Sequence, residues 1–191
     1  MKQLKTSLSH LIQLSDSELE FLESKLVRHE YKAKSIIINQ EKIVDSIFFI
    51  DKGLLRTYYL QDSKEINTYF ACEGQFITVY SSFITQSPSI EFLEAINDCV
   101  LYSISFDTMK ALYAYDSKFE KLGRIIAEKN YLCIIDRTRK MQSLTAKEKY
   151  LDFIDSHDKK IVTGVPQHQI ATYLGIAPES LSRVRKQIVT S

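Results

Sequence analysis

Between residues 35 and 105 the hydrophobic pattern has a short period, and this limits the folds open to the chain. Seven β-branched or aromatic runs (35–38, 47–50, 54–60, 66–70, 76–80, 90–95 and 100–105) recur every 8–12 residues. Asn39-Gln40, Asp51-Lys52-Gly53, Gln61-Asp62-Ser63 and Glu73-Gly74 separate several of them. Short strands at that spacing, broken by turn residues, predict an antiparallel sandwich or barrel closing near Ser105. A chain of 191 residues, 45% hydrophobic and 26% charged, has the material for such a core. With five Gly and three Pro, disorder and collagen-like repeats are excluded.

Both flanks read as helix. Leu8, Leu11 and Ile12 mark an opening helical stretch. Ser15-Asp16-Ser17-Glu18 has the spacing of a capping box, and Leu19, Leu22 and Leu26 follow as an apolar stripe. After the barrel, 107–115 predicts a short helix and 117–141 a long one. Phe119, Leu122, Ile126 and Cys133 share a face of the long helix, with Ile125 and Leu132 beside them and Lys129 and Asp136 interrupting. Two covers for that face are open: a symmetry mate in a homodimer, or the chain's own barrel. Thr145-Ala146-Lys147-Glu148 is a second capping box, starting a helix expected to turn Tyr150, Leu151 and Ile154 inward. A polar turn over 155–160 and a short strand at 161–163 should follow.

The total charge of +1 hides an asymmetry. Residues 1–116 carry a net −5 and residues 117–191 a net +6. A basic second half is the pattern of a polyanion partner, or of drift between two solvated surfaces. Cys72, Cys99 and Cys133 form no CxxC pair, so structural zinc and iron–sulfur sites have no support. They are expected as free, mostly buried thiols of a cytoplasmic protein. No apolar run approaches the roughly 18 residues of a membrane span, and no signal peptide is evident. His10, His29, His157 and His168 all lie outside the predicted strands, and no Ser/His/Asp grouping or Gly-rich phosphate loop occurs. The expectation is no enzyme, no metal and no cofactor.

Residues 166–188 carry the sharpest motif. Pro166 is placed at the first position of a helix, with Ile170 and Leu174 inward and Gly175 ending it. Pro178 starts a second helix, with Leu181, Val184 and Ile188 inward. Small Ala171, Gly175 four residues on and Leu181 six beyond meet the steric demands of a helix-turn-helix. At 100° per residue, Glu179, Arg183 and Lys186 stand opposite the buried side, flanked by Ser182. Arg suits bidentate contact with guanine and Glu can accept from cytosine, so this face fits the major groove. Lys186, Gln167 and His168 are placed for phosphates. An amphipathic helix pair with a merely solvated face is the plainer reading.

On these residues the chain resembles the cyclic-AMP receptor protein and fumarate–nitrate regulator (Crp/Fnr) superfamily of bacterial transcription factors. Ile47-Phe48-Phe49-Ile50-Asp51-Lys52-Gly53 resembles the family's sensor roll, the 117–141 helix its dimerisation helix, and 170–186 its helix-turn-helix. The resemblance implies an α+β chain with three parts. These are a cyclic-nucleotide-binding-like jelly roll (1–116), a dimerisation helix (117–141) and a DNA-binding domain (142–191). In the family a Glu and an Arg four residues later read bases; Glu179 and Arg183 match them, and Ser180 lies in the same motif. A homodimer on pseudo-palindromic double-stranded promoter DNA, with RNA polymerase as a possible partner, is what the likeness implies.

Two departures follow. Aligning Gly74-Gln75-Phe76-Ile77 with the family's phosphate cassette puts Val79 at its Glu, and Ser89 and Ile90 at its Arg-Ser/Thr pair. With no cation left for a buried phosphate, and Glu91 and Glu94 nearby, cyclic AMP is not the expected effector. No Cys precedes Cys72, so the iron–sulfur cluster of other members is not expected either. Tyr80, Phe83 and Phe92 are candidates for the pocket of another small molecule, or for plain core. Only three residues follow Ile188, so the wing strands usual in the family are expected to be truncated or missing. A sensing module acting through protein contacts, with vestigial DNA binding, is the alternative.

Overall fold

The computed structural model describes residues 2–189. Its strands make two antiparallel four-stranded sheets. One holds β1 (Val27–Tyr31), β8 (Cys99–Ser105), β3 (Ser46–Lys52) and β6 (Phe76–Ile77), in that order. The other holds β2 (Ile36–Ile38), β7 (Phe92–Ala95), β4 (Leu54–Gln61) and β5 (Lys64–Cys72). Alternation along the strands assigns each residue to a face. Phe48, Ile50, Leu55, Ala71, Leu93 and Leu101 meet between the sheets, all buried. Phe49, one residue out of phase, packs on the other side against α1 (Lys2–Ser9) and α2 (Asp16–Ser24). Leu54, Phe70 and Cys72 face outward from the second sheet into a further core. At the β3–β4 turn Gly53 has φ +121°, and a Cβ there would stand 2.3 Å from that of Cys99. Glycine alone suits that corner.

Three segments depart from the sequence expectation. β1 reads Val-Arg-His-Glu-Tyr, too polar to announce a strand, yet it pairs along β8 from Val27↔Ser103 to Tyr31↔Cys99. His29 is therefore a strand residue, with Nε2 2.8 Å from the Ser103 hydroxyl. The run at 76–80 is strand only over Phe76–Ile77, after which the chain turns into α3 (Tyr80–Thr85) and buries Ser82 and Phe83. Residues 161–163, expected as strand, lie in helix α7 (Lys159–Gly164). Its N-cap Asp158 accepts from the Lys160 amide at 2.7 Å, and burial of Ile161 overrides the β-branched preference.

Both capping boxes form. Ser15 and Glu18 cap α2, and Thr145 and Glu148 cap α6 (Ala146–Ser156). On α6 the inward face is Tyr150 and Phe153, while Leu151 and Ile154 stay exposed, contrary to expectation. Phe153 decides the orientation by packing against both His157 and Tyr173. From α4 (Phe106–Tyr115) the chain enters α5 (Ser117–Ser143). Phe119 and Leu122 of α5 are buried against α1, α2 and α4, so its first turns are covered by their own chain. Tyr131, Leu132, Ile134 and Ile135 are exposed. The three thiols are free; Cys72 and Cys99 are buried and Cys133 is exposed, in line with the mostly buried set expected.

Candidate functional site

The helix-turn-helix is α8 (Gln167–Leu174) and α9 (Pro178–Val189). Pro166 is the N-cap of α8, one residue before the expected first position; its carbonyl takes the amides of Gln169 and Ile170. Gly175 closes the helix at φ +64°, ψ +37°. Its amide donates to Thr172 O and that of Ile176 to Ala171 O, the paired bonds of a Schellman turn. A side chain at Gly175 would pay the left-handed penalty and meet Met141 Cε at 2.9 Å. Ala171, fully buried, lets the helices cross, and Leu181 and Val184 are buried between them and α6.

Burial of Leu181 and Val184 leaves Glu179, Ser182, Arg183 and Lys186 exposed on the opposite face. Ser180 is half-buried and lies off that face, towards the buried side. Gln167 and His168 are exposed at the N-terminus of α8. Arg183 Nε makes a long contact, 3.5 Å, with the Glu179 carbonyl one turn back.

The C-terminal helices are docked on the outside of the second sheet. Asn67 Nδ2 donates to Thr172 Oγ1 at 2.8 Å, and the Phe70 and Tyr173 rings meet at 5.2 Å. Arg137 of α5 donates to Asn67 O (3.2 Å) and Tyr173 O (2.9 Å), with its guanidinium 4.5 Å from the Tyr173 ring centre. Lys160 pairs with Glu73, which also accepts from the Gly53 amide at 2.8 Å. These bonds hold the Glu73 carboxyl below its ordinary range, against the opposing effect of burial.

Of the three aromatic residues expected in one pocket, Tyr80 and Phe83 share the wall of an apolar cavity of about 130 Å³, and Phe92 stands apart. Tyr80 lines a cavity of about 310 Å³ between the roll and α5. Phe83 is buried in the roll's core, edge-on to Phe106 at 5.4 Å. Phe92 lies on the opposite face of β7 from buried Leu93 and stacks on Tyr58 at 5.1 Å. Thr57, Thr68, Glu91, Asn130 and Arg137 are among the polar residues of the cavity wall. Burial raises the Glu91 carboxyl, opposed by a bond from Thr68 and the charge of Arg137. Burial likewise raises the Tyr80 phenol, and that of Tyr69 to about 12.

Ser89 is spent locally: its hydroxyl donates to Glu91 O (2.8 Å) and accepts from Glu91 N (3.1 Å). Ile90 is 67% exposed and Val79 is buried. The expectation of a pocket without a cation needs correcting, because Arg137 enters from α5. Arg137 carries no local motif; only the folding of α5 across the roll brings it there. Arg56 was equally invisible. It is 3% exposed on the sheet's outer face, bonded to Glu65 and Glu94 at 2.6 Å each.

With this geometry in view, comparison decides the fold type. Residues 28–116 match the family profile of the cyclic nucleotide-binding domain. That stretch runs from β1 to the end of α4 and takes in most of the roll. Beyond it, most of the chain shares its fold with solved structures. FixK2 from Bradyrhizobium japonicum superposes with a TM-score of 0.75 at 20% identity, over 86% of this chain and 85% of that one. The c-di-GMP responsive global regulator CLP of Xanthomonas campestris gives 0.71 at 15% identity, over 92% of each chain. A crp/fnr-family chain from Eubacterium rectale gives 0.69 at 18%, over 93% of this chain and 84% of that one. No curated protein matches by sequence. The likeness to these structures is one of fold, and the ligand of the roll has to be argued from the residues it carries.

Proposed function

We propose that the chain is a sequence-specific DNA-binding transcription regulator of the Crp/Fnr type, acting as a cytoplasmic homodimer on pseudo-palindromic promoter DNA. One observation carries the reading: α9 buries Leu181 and Val184 and turns Glu179, Ser182, Arg183 and Lys186 to solvent on its opposite face. A major-groove helix needs that division. Gln167 and His168 serve phosphates from the start of α8. The exposed Tyr131, Leu132, Ile134 and Ile135 of α5 support pairing through the second half of that helix. Two recognition helices would then enter major grooves about 34 Å apart.

The residues aligned with the nucleotide cassette offer no cation, and Glu91 offsets the one that α5 supplies in Arg137, so the roll is read as answering to something other than cyclic AMP. No helix among the described residues is long and apolar enough to cross a membrane. The role is regulatory, not enzymatic, and RNA polymerase is the machinery it would contact. The test is selection of random duplexes by purified protein. A pseudo-palindromic consensus is expected, with affinity falling steeply as salt rises. Recovery of unenriched sequence would sink the reading in favour of a module acting through protein contacts.

A further inference from the structure

Two residues lining the cavity between the roll and α5, Tyr80 and Arg137, each carry a buried polar atom with no hydrogen-bond partner among the described residues: the Tyr80 hydroxyl and Arg137 Nε. Buried groups of this kind are nearly always satisfied, and an orphan asks for a missing acceptor. Both are donors. Glu91 lines the same cavity, its carboxyl close enough to Arg137 to feel its charge. Among the described residues Glu91 and Arg137 are the two formally charged groups lining the cavity; Thr57, Thr68 and Asn130 add neutral polar atoms.

We propose that this cavity binds a small zwitterion of amino-acid size, its carboxylate accepting from Tyr80 and Arg137 and its ammonium donating to Glu91. The proposal rests on reading the roll as the sensor of a DNA-binding regulator, and names the ligand class of that sensor. Charge balance selects the class. A net anion such as a cyclic nucleotide would set a second negative charge beside Glu91 in a half-enclosed space. A net cation without a carboxylate would leave both donors unpaired. A zwitterion pairs every group and leaves the filled cavity neutral. At about 310 Å³ the space is at the lower end of the roughly 300–1,000 Å³ of small-molecule sites, which fits an amino acid better than a nucleotide.

The site also has a route outward. The guanidinium of Arg137 that would take the ligand already holds Asn67 O and Tyr173 O. A carboxylate on Nε would tighten or re-aim the side chain that joins α5 to the helix-turn-helix.

Thermal shift and calorimetry on the full chain test this, using the twenty standard α-amino acids singly and cyclic AMP. For any amino acid that binds, its N-acetyl derivative and methyl ester follow. At least one amino acid is expected to raise the Tm, and either derivative to bind at least about tenfold more weakly. Tyr80→Phe removes an unpaired hydroxyl, so it should fold with an unchanged or higher Tm while weakening that amino acid about 5- to 30-fold. Glu91→Gln should discriminate less between the amino acid and its N-acetyl form. Binding of none of the twenty overturns the proposal. So does equal binding of cyclic AMP or the N-acetyl form, or wild-type affinity in both variants. A duplex gel shift on the same preparations separates the two readings. DNA binding with no amino-acid binding sinks only the ligand class, and the converse sinks only the regulator.

Discussion

Asn67 is fully buried, and its polar groups are divided among three parts of the molecule. Its Oδ1 accepts from Arg56 (3.2 Å), its amides donate to Thr172 Oγ1, and its carbonyl accepts from Arg137. Thr172→Val keeps the volume but strands the Asn67 amide, and is expected to destabilise the chain by about 1–3 kcal/mol in a denaturant titration. A loss below roughly 0.5 kcal/mol would mean that the docking of α8 does not depend on this bond. Arg183→Ala acts elsewhere. It should leave stability alone, cost about 1–3 kcal/mol in DNA affinity, and relax discrimination at one base pair per half-site. A gel-shift series retaining full affinity and selectivity would place the reading face on other residues. Arg183 was legible because its meaning is local: a helical angle against Leu181 and a spacing from Glu179. Asn67 and Arg137 were not, because their partners lie 105 and 36 positions away along the chain.

Helix α5 has two characters. Its first turns bury Phe119 and Leu122 on their own chain, and its second half carries exposed Tyr131, Leu132, Ile134 and Ile135. Ile135→Asp puts a charge into the face proposed to pair. It is expected to weaken self-association at least about tenfold by sedimentation while leaving the monomer's circular dichroism unchanged. An unaltered dimer would move the interface elsewhere. Among the other elements, the capping boxes of α2 and α6 could be read directly, since a box is four consecutive residues. The face of α6 could not. Tyr150, Leu151, Phe153 and Ile154 offer two overlapping stripes, and only contact with His157 and Tyr173 chooses between them. α7 failed for the same reason: Ile-Val-Thr prefers strand until Ile161 finds a place in the core.

The roll and the C-terminal helices share a core, since Leu54, Phe70 and Cys72 of the sheet pack with Phe153, Ile161, Tyr173 and Leu181. His157 sits at that junction, its ring tilted against Phe153 with centres 4.3 Å apart and Nε2 3.3 Å from the Tyr173 hydroxyl. Burial lowers its pKa from 6.5, opposed by the Phe153 carbonyl and Asp152, with Lys140 adding to the depression. The unfolded chain therefore takes up a proton before the folded one does. Stability is full above about pH 6.5 and falls as pH drops towards the depressed folded value. Denaturation midpoints between pH 5.5 and 7.5 should show that slope, and His157→Asn should flatten it. An unchanged slope in the variant would assign it to another group.

What the sequence by itself determined is whatever depends on neighbours within a turn or a strand. The short-period roll, the helix caps, the Ala171–Gly175–Leu181 turn and the exposed side of α9 all rest on local sterics and periodicity. Tertiary structure alone decided what depends on pairs brought from afar. Arg137 became part of a cavity against the roll, Phe92 parted from Tyr80 and Phe83, and the helix-turn-helix docked on a sheet through Asn67. Burial and electrostatic pairing act through space, so the residues that unite sensor and reader carry no mark in the chain's order.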